Sequence, residues 1–229
     1  MIKGRLTDRQ TVAQGTGAFT FTLDGEMVFE AGQTCDFTLP DPMYSDSEGN
    51  ARTFSIASSP ADLPSITVAT RLTGSAFKRS LLDAPLGTVL DVDGPYGSFT
   101  LHKKVSRPAL LLAGGIGITP FRSMIKDATE RGSGHHLVLL YSNRVRESGA
   151  FLDDLQRWAA SNPNFSLVPV FTDQSGFITA EMIRQHVPDP ASVIAYAAGP
   201  DAFVKAMRQA LGDARIDPDD IRTEEFPGY

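Results

Sequence analysis

The sequence predicts a β + α/β protein, in which an antiparallel β-barrel domain precedes a doubly wound parallel-sheet domain. Up to about residue 101, short strand-like runs alternate with Gly, Pro, Asp and Ser clusters, as in antiparallel barrels. After residue 108, apolar runs alternate with amphipathic stretches, which is the rhythm of βαβ units. Basic residues and Pro108 interrupt both patterns at 102–108. We therefore expect domains at 1–103 and 108–229, joined by a short ordered linker.

The first domain is expected to contain five strands and one helix. The strands are predicted at 19–23, 34–39, 52–58, 65–72 and 88–92. Ser75 is placed to cap a short helix that would carry Phe77, Leu81 and Leu82 on its inner face. The barrel therefore has one predicted helical lid.

The second domain is expected to alternate four strands with helices. The strands are predicted at 109–115, 136–143, 166–172 and 192–199. The helices are predicted to begin near Thr119, Ala150, Thr179 and Asp201. Strands this apolar are typical of a parallel sheet that is buried on both faces.

Composition narrows the classes of function. The 229 residues are 41% hydrophobic and 21% charged, as in ordinary globular proteins. A net charge of -6 argues against nucleic acid binding, which needs a basic surface. No apolar segment is long enough to cross a bilayer, and the first fifteen residues lack the apolar run of a secretory signal. We expect no membrane insertion and a cytoplasmic location.

The chain offers few residues for metal or thiol chemistry. Cys35 is its only cysteine, which excludes an internal disulfide and a cluster held by four thiolates. We expect Cys35 to be a buried apolar residue in the strand-like run 33–39. His135 and His136 have no ligand partner at helical spacing, so no metal site is predicted. Any electron carrier in this chain must be organic.

One glycine-rich turn has the form of a phosphate-binding loop. Gly114, Gly115 and Gly117 lie between an apolar strand and a helix that begins near Thr119, with Pro120 suited to its first turn. Glycines let the backbone approach a phosphate, and the free N–H groups of a helix start favour anions. The third glycine of GxGxxG is absent, so on this motif alone a plain tight turn is an equal alternative.

Four segments together resemble the ferredoxin–NADP reductase family of flavoprotein reductases. They are RTFSIASSP at 52–60, GPYGSF at 94–99, GGIGITP at 114–120 and AGP at 198–200, in the family's order and spacing. The resemblance spans nearly the whole chain. It implies a barrel that binds FAD, a second domain that binds a nicotinamide nucleotide, and hydride transfer in the cleft between them.

The resemblance assigns flavin contacts to six residues of the first domain, namely Arg52, Thr53, Phe54, Ser55, Gly74 and Ser75. Arg52 would pair with the pyrophosphate, and Ser55 would lie near the reactive flavin nitrogen. Phe54 stands where the family usually has tyrosine, so one hydroxyl donor is lost. Gly74 and Ser75 would form a second phosphate-binding turn. Thr70 and Arg71 are open between lining the flavin and being an exposed strand pair.

The nucleotide contacts implied for the second domain are Gly115, Gly117, Thr119, Pro120, Asn143, Arg144, Gly199 and Pro200. Asn143 and Arg144 end the second parallel strand, where an acidic residue would normally hold the ribose of NAD. Arginine suits a 2′-phosphate, so NADPH is favoured, although Glu147 is near enough to serve NADH. Ala198 stands where many family members have a cysteine close to the hydride path.

The C-terminus supplies the remaining predicted site residues. Family members often lay a C-terminal aromatic residue over the flavin, and Phe226 is the first candidate, ahead of Tyr229. An unpacked tail is the alternative. Glu225 or Glu224 would help to move a proton. Ser55, Phe226 and Glu225 are therefore the predicted catalytic residues.

The predicted function is transfer of a hydride from NADPH, or NADH, to bound FAD. The electrons would then pass to a separate acceptor, such as a ferredoxin-like or haem protein. Six basic residues are candidates for its docking patch, namely Arg52, Arg71, Lys78, Arg79, Lys103 and Lys104. A reductase that releases free flavin, and a non-catalytic flavin- or nucleotide-binding subunit, are the alternatives.

Overall fold

A computed structural model describes residues 1–187 and 189–226. Its first half is a six-stranded sheet in the order β4-β3-β6-β1-β2-β5, in which all neighbours are antiparallel. The edge strands β4 and β5 contact each other, so the sheet is barrel-like. Its elements are β1 (Ile2–Ala13), β2 (Thr16–Leu23), β3 (Thr34–Thr38), β4 (Ala51–Ser55), β5 (Ser65–Arg71), α1 (Ala76–Asp83) and β6 (Val89–Tyr96).

The second half is a five-stranded parallel sheet in the order β11-β10-β7-β8-β9. Its strands are β7 (Ala109–Gly114), β8 (Leu137–Asn143), β9 (Phe165–Phe171), β10 (Ile194–Gly199) and β11 (Ile221–Glu225). Its helices are α2 (Ile118–Arg131), α3 (Leu152–Ser161), the short α4 (Thr172–Ser175), α5 (Ala180–His186) and α6 (Asp201–Asp213). The predicted fold class is confirmed.

The central strands of the parallel sheet are buried on both faces, as their apolar sequence predicts. Leu111 and Leu139 pack with α2 and α3 in one hydrophobic cluster. Leu110, Leu112 and Leu140 pack with α5 and α6 in another. Successive strand residues point to opposite faces, so each apolar strand feeds both clusters.

The sequence analysis did not predict two of the strands, β1 and β11. β1 carries alternating polar residues, and only Gly4 and Leu6 along it are buried, so its strand pattern is weak. It nevertheless lies in mid-sheet, paired with β2 and β6. β11 lies in the C-terminal segment, for which no strand was predicted, and it pairs in parallel with β10. Both strands are fixed by hydrogen bonds from neighbouring strands rather than by an apolar pattern of their own.

The helical lid is confirmed, with one correction. The Ser75 side chain caps α1 by accepting a hydrogen bond from the Lys78 amide, and Phe77 and Leu81 are buried. Leu82, expected on the inner face, is exposed. At about 100° per residue, Leu81 lies about 40° around the helix from the buried Phe77, whereas Leu82 lies about 140° from it and so points away from the barrel. Cys35 is fully buried as expected, and burial raises the pKa of its thiol to about 12.

Helix α2 fastens the two sheets together. Arg122 Nη1 donates to the carbonyl oxygen of Ala57 at 2.7 Å, and Ser123 Oγ donates to that of Ser58 at 2.5 Å. Lys126 forms an ion pair with Asp62. The side of the parallel sheet that carries α2 thus packs against the barrel, and residues of both halves can meet in shared clefts. Among the residues described, no helix has the length and apolar character needed to span a membrane.

Candidate functional site

A cleft of about 1030 Å³ lies between the two halves, and a smaller one of about 570 Å³ lies beside the glycine turn after β7. Small-molecule sites usually measure ~300–1,000 Å³, so the first cleft can hold a large ligand. Its wall includes the loop before β4, β4 itself, the end of β5 with the turn that follows it, the first turns of α1 and α2, and the end of β11. We call this the larger cleft. The residues that line it include Asp46, Glu48, Arg52, Thr53, Phe54, Ser55, Thr73, Gly74, Ser75, Lys78, Thr119, Glu224, Glu225 and Phe226.

A serine from the barrel meets a half-buried acid from the parallel sheet inside the larger cleft. Ser55 Oγ donates to Glu224 Oε2 at 3.4 Å. Burial raises the pKa of Glu224 to about 7, and the hydrogen bond from Ser55 opposes that shift. Glu225, which was the predicted proton carrier, is exposed. Of the two glutamates, Glu224 therefore has the environment of a group that exchanges a proton near neutral pH.

Arg52 faces into the larger cleft but is already held by its own loop. Its guanidinium donates to the carbonyl oxygens of Glu48, Gly49 and Ala51 at 3.1, 3.1 and 2.7 Å. Nη2 lies 2.7 Å from the Glu48 carboxylate and 3.8 Å from that of Asp46. Arg52, the residue predicted to bind phosphate, is thus held at the larger cleft, and the carboxylates of Glu48 and Asp46 lie beside its guanidinium.

The start of α1 is also engaged by a carboxylate. Asp46 Oδ2 accepts a hydrogen bond from the amide of Ala76 at 2.7 Å. This bond, with a smaller contribution from nearby Arg52, holds the pKa of Asp46 below its usual range. A Cβ atom added to Gly74 would meet nothing within 4 Å, so the turn before the helix is open toward the cleft.

Aromatic side chains line two sides of the larger cleft. Phe54 lies in a row with Phe37 and Phe77, at centroid distances of 5.8 and 6.0 Å. Phe226 is half-buried against the apolar cluster around α2, and its amide donates to the carbonyl oxygen of Gly199 at 3.0 Å. Phe226 is therefore fixed by the backbone rather than frayed.

The smaller cleft, of about 570 Å³, lies beside the glycine turn after β7. Arg144 from the end of β8 and Arg71 from the end of β5 both line it, so it is also shared between the halves. The remaining lining residues are Gln14, Gly114, Gly115, Ser142, Asn143, Val145, Ser148, Thr172, Pro200 and Phe203.

The charged side chains among the described lining residues of the smaller cleft are all positive. None of the lining residues that the structure describes is acidic. Within 1–187 and 189–226, no carboxylate lies within ion-pairing distance of Arg71 or Arg144. Asn143 is only 5% exposed, and both polar atoms of its amide lack a hydrogen-bond partner in the described part of the chain. The cleft therefore presents two cations and an unpaired amide, which suits an anionic ligand.

Two of the predicted nucleotide-binding glycines have a packing role. A Cβ atom on Gly117 would lie 2.1 Å from the carbonyl oxygen of Ala198, and one on Gly199 would lie 3.0 Å from that of Gly114. These glycines allow the turn after β7 to touch the end of β10. Gly117, Gly199 and the buried Pro120 line neither cleft, so they shape the site from behind.

The structure therefore divides the sequence-predicted residues into groups. The larger cleft brings together Arg52, Thr53, Phe54, Ser55, Gly74, Ser75, Thr119, Glu225 and Phe226. The smaller cleft brings together Gly115, Asn143, Arg144 and Pro200. Tyr229 lies outside the described residues.

Sequence reasoning missed several lining residues, and it left the position of Arg71 open. Among those missed, Asp46, Glu48 and Gln14 belong to no motif in the sequence. Arg71 borders the smaller cleft, whereas its neighbour Thr70 lines the larger one.

Comparison with known proteins identifies the family that the chain resembles. Residues 111–209 match the family model of the oxidoreductase NAD-binding domain. Ferredoxin--NADP reductase B of Sorangium cellulosum is 31% identical over 205 residues, which are 84% of this chain and 80% of that protein. The toluate 1,2-dioxygenase electron transfer component of Pseudomonas putida is 33% identical over 158 residues, which are 66% of this chain and 46% of that protein.

A solved structure extends the likeness to both halves. The flavohem-like FAD/NAD binding domain of nitric oxide dioxygenase from Vibrio cholerae has a TM-score of 0.87 at 15% identity, and the match covers 98% of each chain. Identity this low supports the fold alone. The chain spans about half the length of the dioxygenase relatives that it matches, with 46% and 59% for the toluate and terephthalate components.

Proposed function

The chain belongs to the ferredoxin–NADP reductase family of NAD-binding oxidoreductases, and on that basis we propose that it is a flavoprotein reductase. It transfers a hydride from NADPH, or NADH, to bound FAD and passes the electrons to a separate protein. The observation that carries this proposal is the contact between Ser55 and Glu224, which joins a barrel serine to a half-buried acid in a cleft built by both halves.

The larger cleft fits FAD in size and in the groups that it presents. Its volume is about 1030 Å³, and it offers a guanidinium at Arg52, an open glycine turn at Gly74 and an aromatic wall at Phe54. Thr53 and Ser75 complete the proposed flavin contacts. Bound FAD supplies a hydride acceptor that can release its electrons singly.

The chain's own residues contribute positioning and proton control. The Ser55 hydroxyl both donates and accepts, and it is held by Glu224 at 3.4 Å. With a pKa of about 7, Glu224 gains or loses a proton near neutral pH and can exchange it through Ser55. Phe226 covers the site between the two halves, where it limits access of water and of the nicotinamide ring. Glu225, being exposed, is a weaker candidate than Glu224.

The smaller cleft is the proposed binding site of the nicotinamide nucleotide. Gly115 has a φ of +55° and lies just before α2, so its backbone can approach a phosphate. Arg144 and Asn143 would hold the 2′-phosphate of NADPH, and Arg71 adds a second cation from the barrel. The absence of acidic groups among the described lining residues supports NADPH over NADH, because a carboxylate normally holds the ribose of NAD.

The electron acceptor is proposed to be a separate ferredoxin-like or haem protein, met in the cytoplasm. Lys103 and Lys104 are exposed in the linker, whereas Arg52 is held by its loop and Arg71 lines the smaller cleft. The linker is the more accessible part of the proposed docking patch. A domain division between residues 103 and 108 completes the proposal.

The first experiment is a visible spectrum of the purified protein, followed by anaerobic mixing with NADPH and, separately, with NADH. Bound flavin that bleaches rapidly, and faster with NADPH, is the expected result. Faster bleaching with NADH would contradict the role of Arg144. If bound flavin does not bleach with either coenzyme, the chain is a binding subunit and the reductase proposal is wrong.

A second candidate function is reduction of flavin that is released as product. The engagement of Arg52 by Glu48, and of the α1 amide by Asp46, favours it, because both are proposed contacts of the flavin phosphates. Colourless protein that reduces added flavin with NADPH would identify this activity.

A further inference from the structure

Two carboxylates of one loop occupy the groups that would bind the flavin phosphates. Glu48 lies 2.7 Å from the Arg52 guanidinium, and Asp46 accepts the first amide hydrogen of α1 at 2.7 Å. A carboxylate and a phosphate oxygen are recognised by the same donors, so both cannot hold them fully at once. The proposed phosphate site therefore already has internal ligands.

The loop that carries these acids is anchored on both sides of them. Before Asp46, the Tyr44 amide donates to Ser80 Oγ at 2.9 Å, and the Arg79 guanidinium stacks over the Tyr44 ring at 4.1 Å. After Glu48, the Asn50 side chain donates to the carbonyl oxygen of Leu39 at 2.6 Å. The acids are consequently held against the cleft by contacts that do not depend on their own charge.

We infer that Asp46 and Glu48 compete with the phosphate groups of the flavin, so that they weaken its binding and keep it exchangeable. This inference rests on the proposed function, because it takes the larger cleft as the flavin site. An entering phosphate displaces the carboxylates from Arg52 and from the α1 amide, or it lies beside them as a like charge. Both outcomes cost affinity.

The charge balance of the cleft supports the inference. Lys78, which also lines the larger cleft, has its pKa lowered by burial and by the neighbouring Arg52. Two cations are thus close together, and the two acids offset their field. Without the acids, the same cations would attract a phosphate more strongly.

The test compares three flavins in fluorescence titrations of the full chain after it has been freed of flavin at high salt. FAD and FMN carry phosphate, whereas riboflavin does not. Glu48→Gln keeps the shape of the side chain and removes its charge, and Glu48 is 67% exposed, so the fold should tolerate the change. Asp46→Asn is the second variant, since its amide oxygen can still accept from Ala76. Asp41→Asn, an exposed acid earlier in the chain, is the matched control.

We expect E48Q to bind FAD and FMN roughly twofold to fivefold more tightly, as for a largely exposed ion pair, with riboflavin unchanged. D46N should act in the same direction, and D41N should match the wild-type protein. An E48Q protein with unchanged or weaker FAD binding overturns the inference, as does an equal gain for riboflavin. Wild-type protein that binds none of the three flavins refutes the proposed function itself, which is a distinguishable result.

Discussion

The two clefts carry opposite arrangements of charge. In the larger cleft, the Arg52 guanidinium is paired with Glu48, and a half-buried acid, Glu224, faces Ser55. In the smaller cleft, Arg71 and Arg144 have no acidic neighbour among the described lining residues. A protein with a net negative charge can therefore concentrate unpaired positive charge at one place, where it attracts an anionic ligand most strongly.

The two glycine turns also differ, in the space around their glycines. Gly74, at the larger cleft, has open space where a Cβ atom would lie, whereas Gly117, behind the clefts, touches the backbone of Ala198. The first turn is open toward the space where a ligand would lie, and the second is closed against the end of a neighbouring strand. A glycine in such a motif can therefore leave room for a ligand or allow two backbone segments to pack closely. The atoms around it in the structure show which role it has.

The largest expected effect follows from this contrast. Gly117→Ala should lower the free energy of unfolding by about 2–3 kcal/mol, because its new methyl group would meet the Ala198 carbonyl at 2.1 Å. Thermal unfolding measures the change. Gly74→Ala is the control and should lose far less stability. Equal losses in the two variants would show that the glycine turns are not different in kind.

The next effect concerns the unpaired cations. Arg144→Gln should weaken NADPH binding by about 10- to 100-fold, the value of a charge-assisted hydrogen bond, and should change NADH binding little. Arg71→Gln should also weaken NADPH binding. Steady-state KM values for both coenzymes provide the measurement. Arg146→Gln, an exposed neighbour that does not line the smaller cleft, should behave as wild type. Loss of NADH affinity equal to that of NADPH in R144Q would argue against a 2′-phosphate contact.

A smaller effect is expected at Glu224, the half-buried acid of the larger cleft. The folded protein raises the pKa of Glu224 from 4.5 to about 7, so it binds this proton more tightly than the unfolded chain does. The stability contributed by that proton is present below pH 4.5 and is lost as the pH rises through 7. Glu224→Gln should therefore unfold at a higher temperature than wild type at pH 8, with little difference at pH 4.

The same variant tests the proposed proton exchange. The rate of flavin reduction in the wild-type protein should change with pH around 7, the pKa of Glu224. E224Q should be slower and should lose this dependence. Glu225→Gln, which alters the exposed neighbour, should retain it. A pH profile that survives E224Q unchanged would assign the titration to another group.

The smallest expected effect is at the single thiol, which lines neither cleft. With its pKa raised to about 12 by burial, Cys35 should resist thiol reagents at pH 8 until the protein is denatured. Cys35→Ala should leave flavin reduction unchanged and cost modest stability. Rapid alkylation of the folded protein would show that the barrel opens near Cys35 far more often than its burial implies.

Periodicity carried most of the fold prediction. The apolar runs of the second half could be assigned to parallel strands because a strand covered on both faces needs apolar residues at every position. β1 could not be found this way, since only Gly4 and Leu6 along it are buried. β11 was also missed, because the edge of β10 supplies the hydrogen bonds that make it a strand.

Local pattern and motif were enough to predict an antiparallel sheet followed by a parallel one, the glycine turn before α2, and Arg52, Ser55 and Arg144 as candidate site residues. The packing of the two halves made Glu224, rather than the exposed Glu225, the acid with a raised pKa, and it brought Asp46 and Glu48 onto the proposed phosphate donors. Neighbouring strand residues point to opposite sides, and burial depends on what packs there from distant parts of the chain. Charge and exposure in a cleft are properties of that assembly, which no local pattern records.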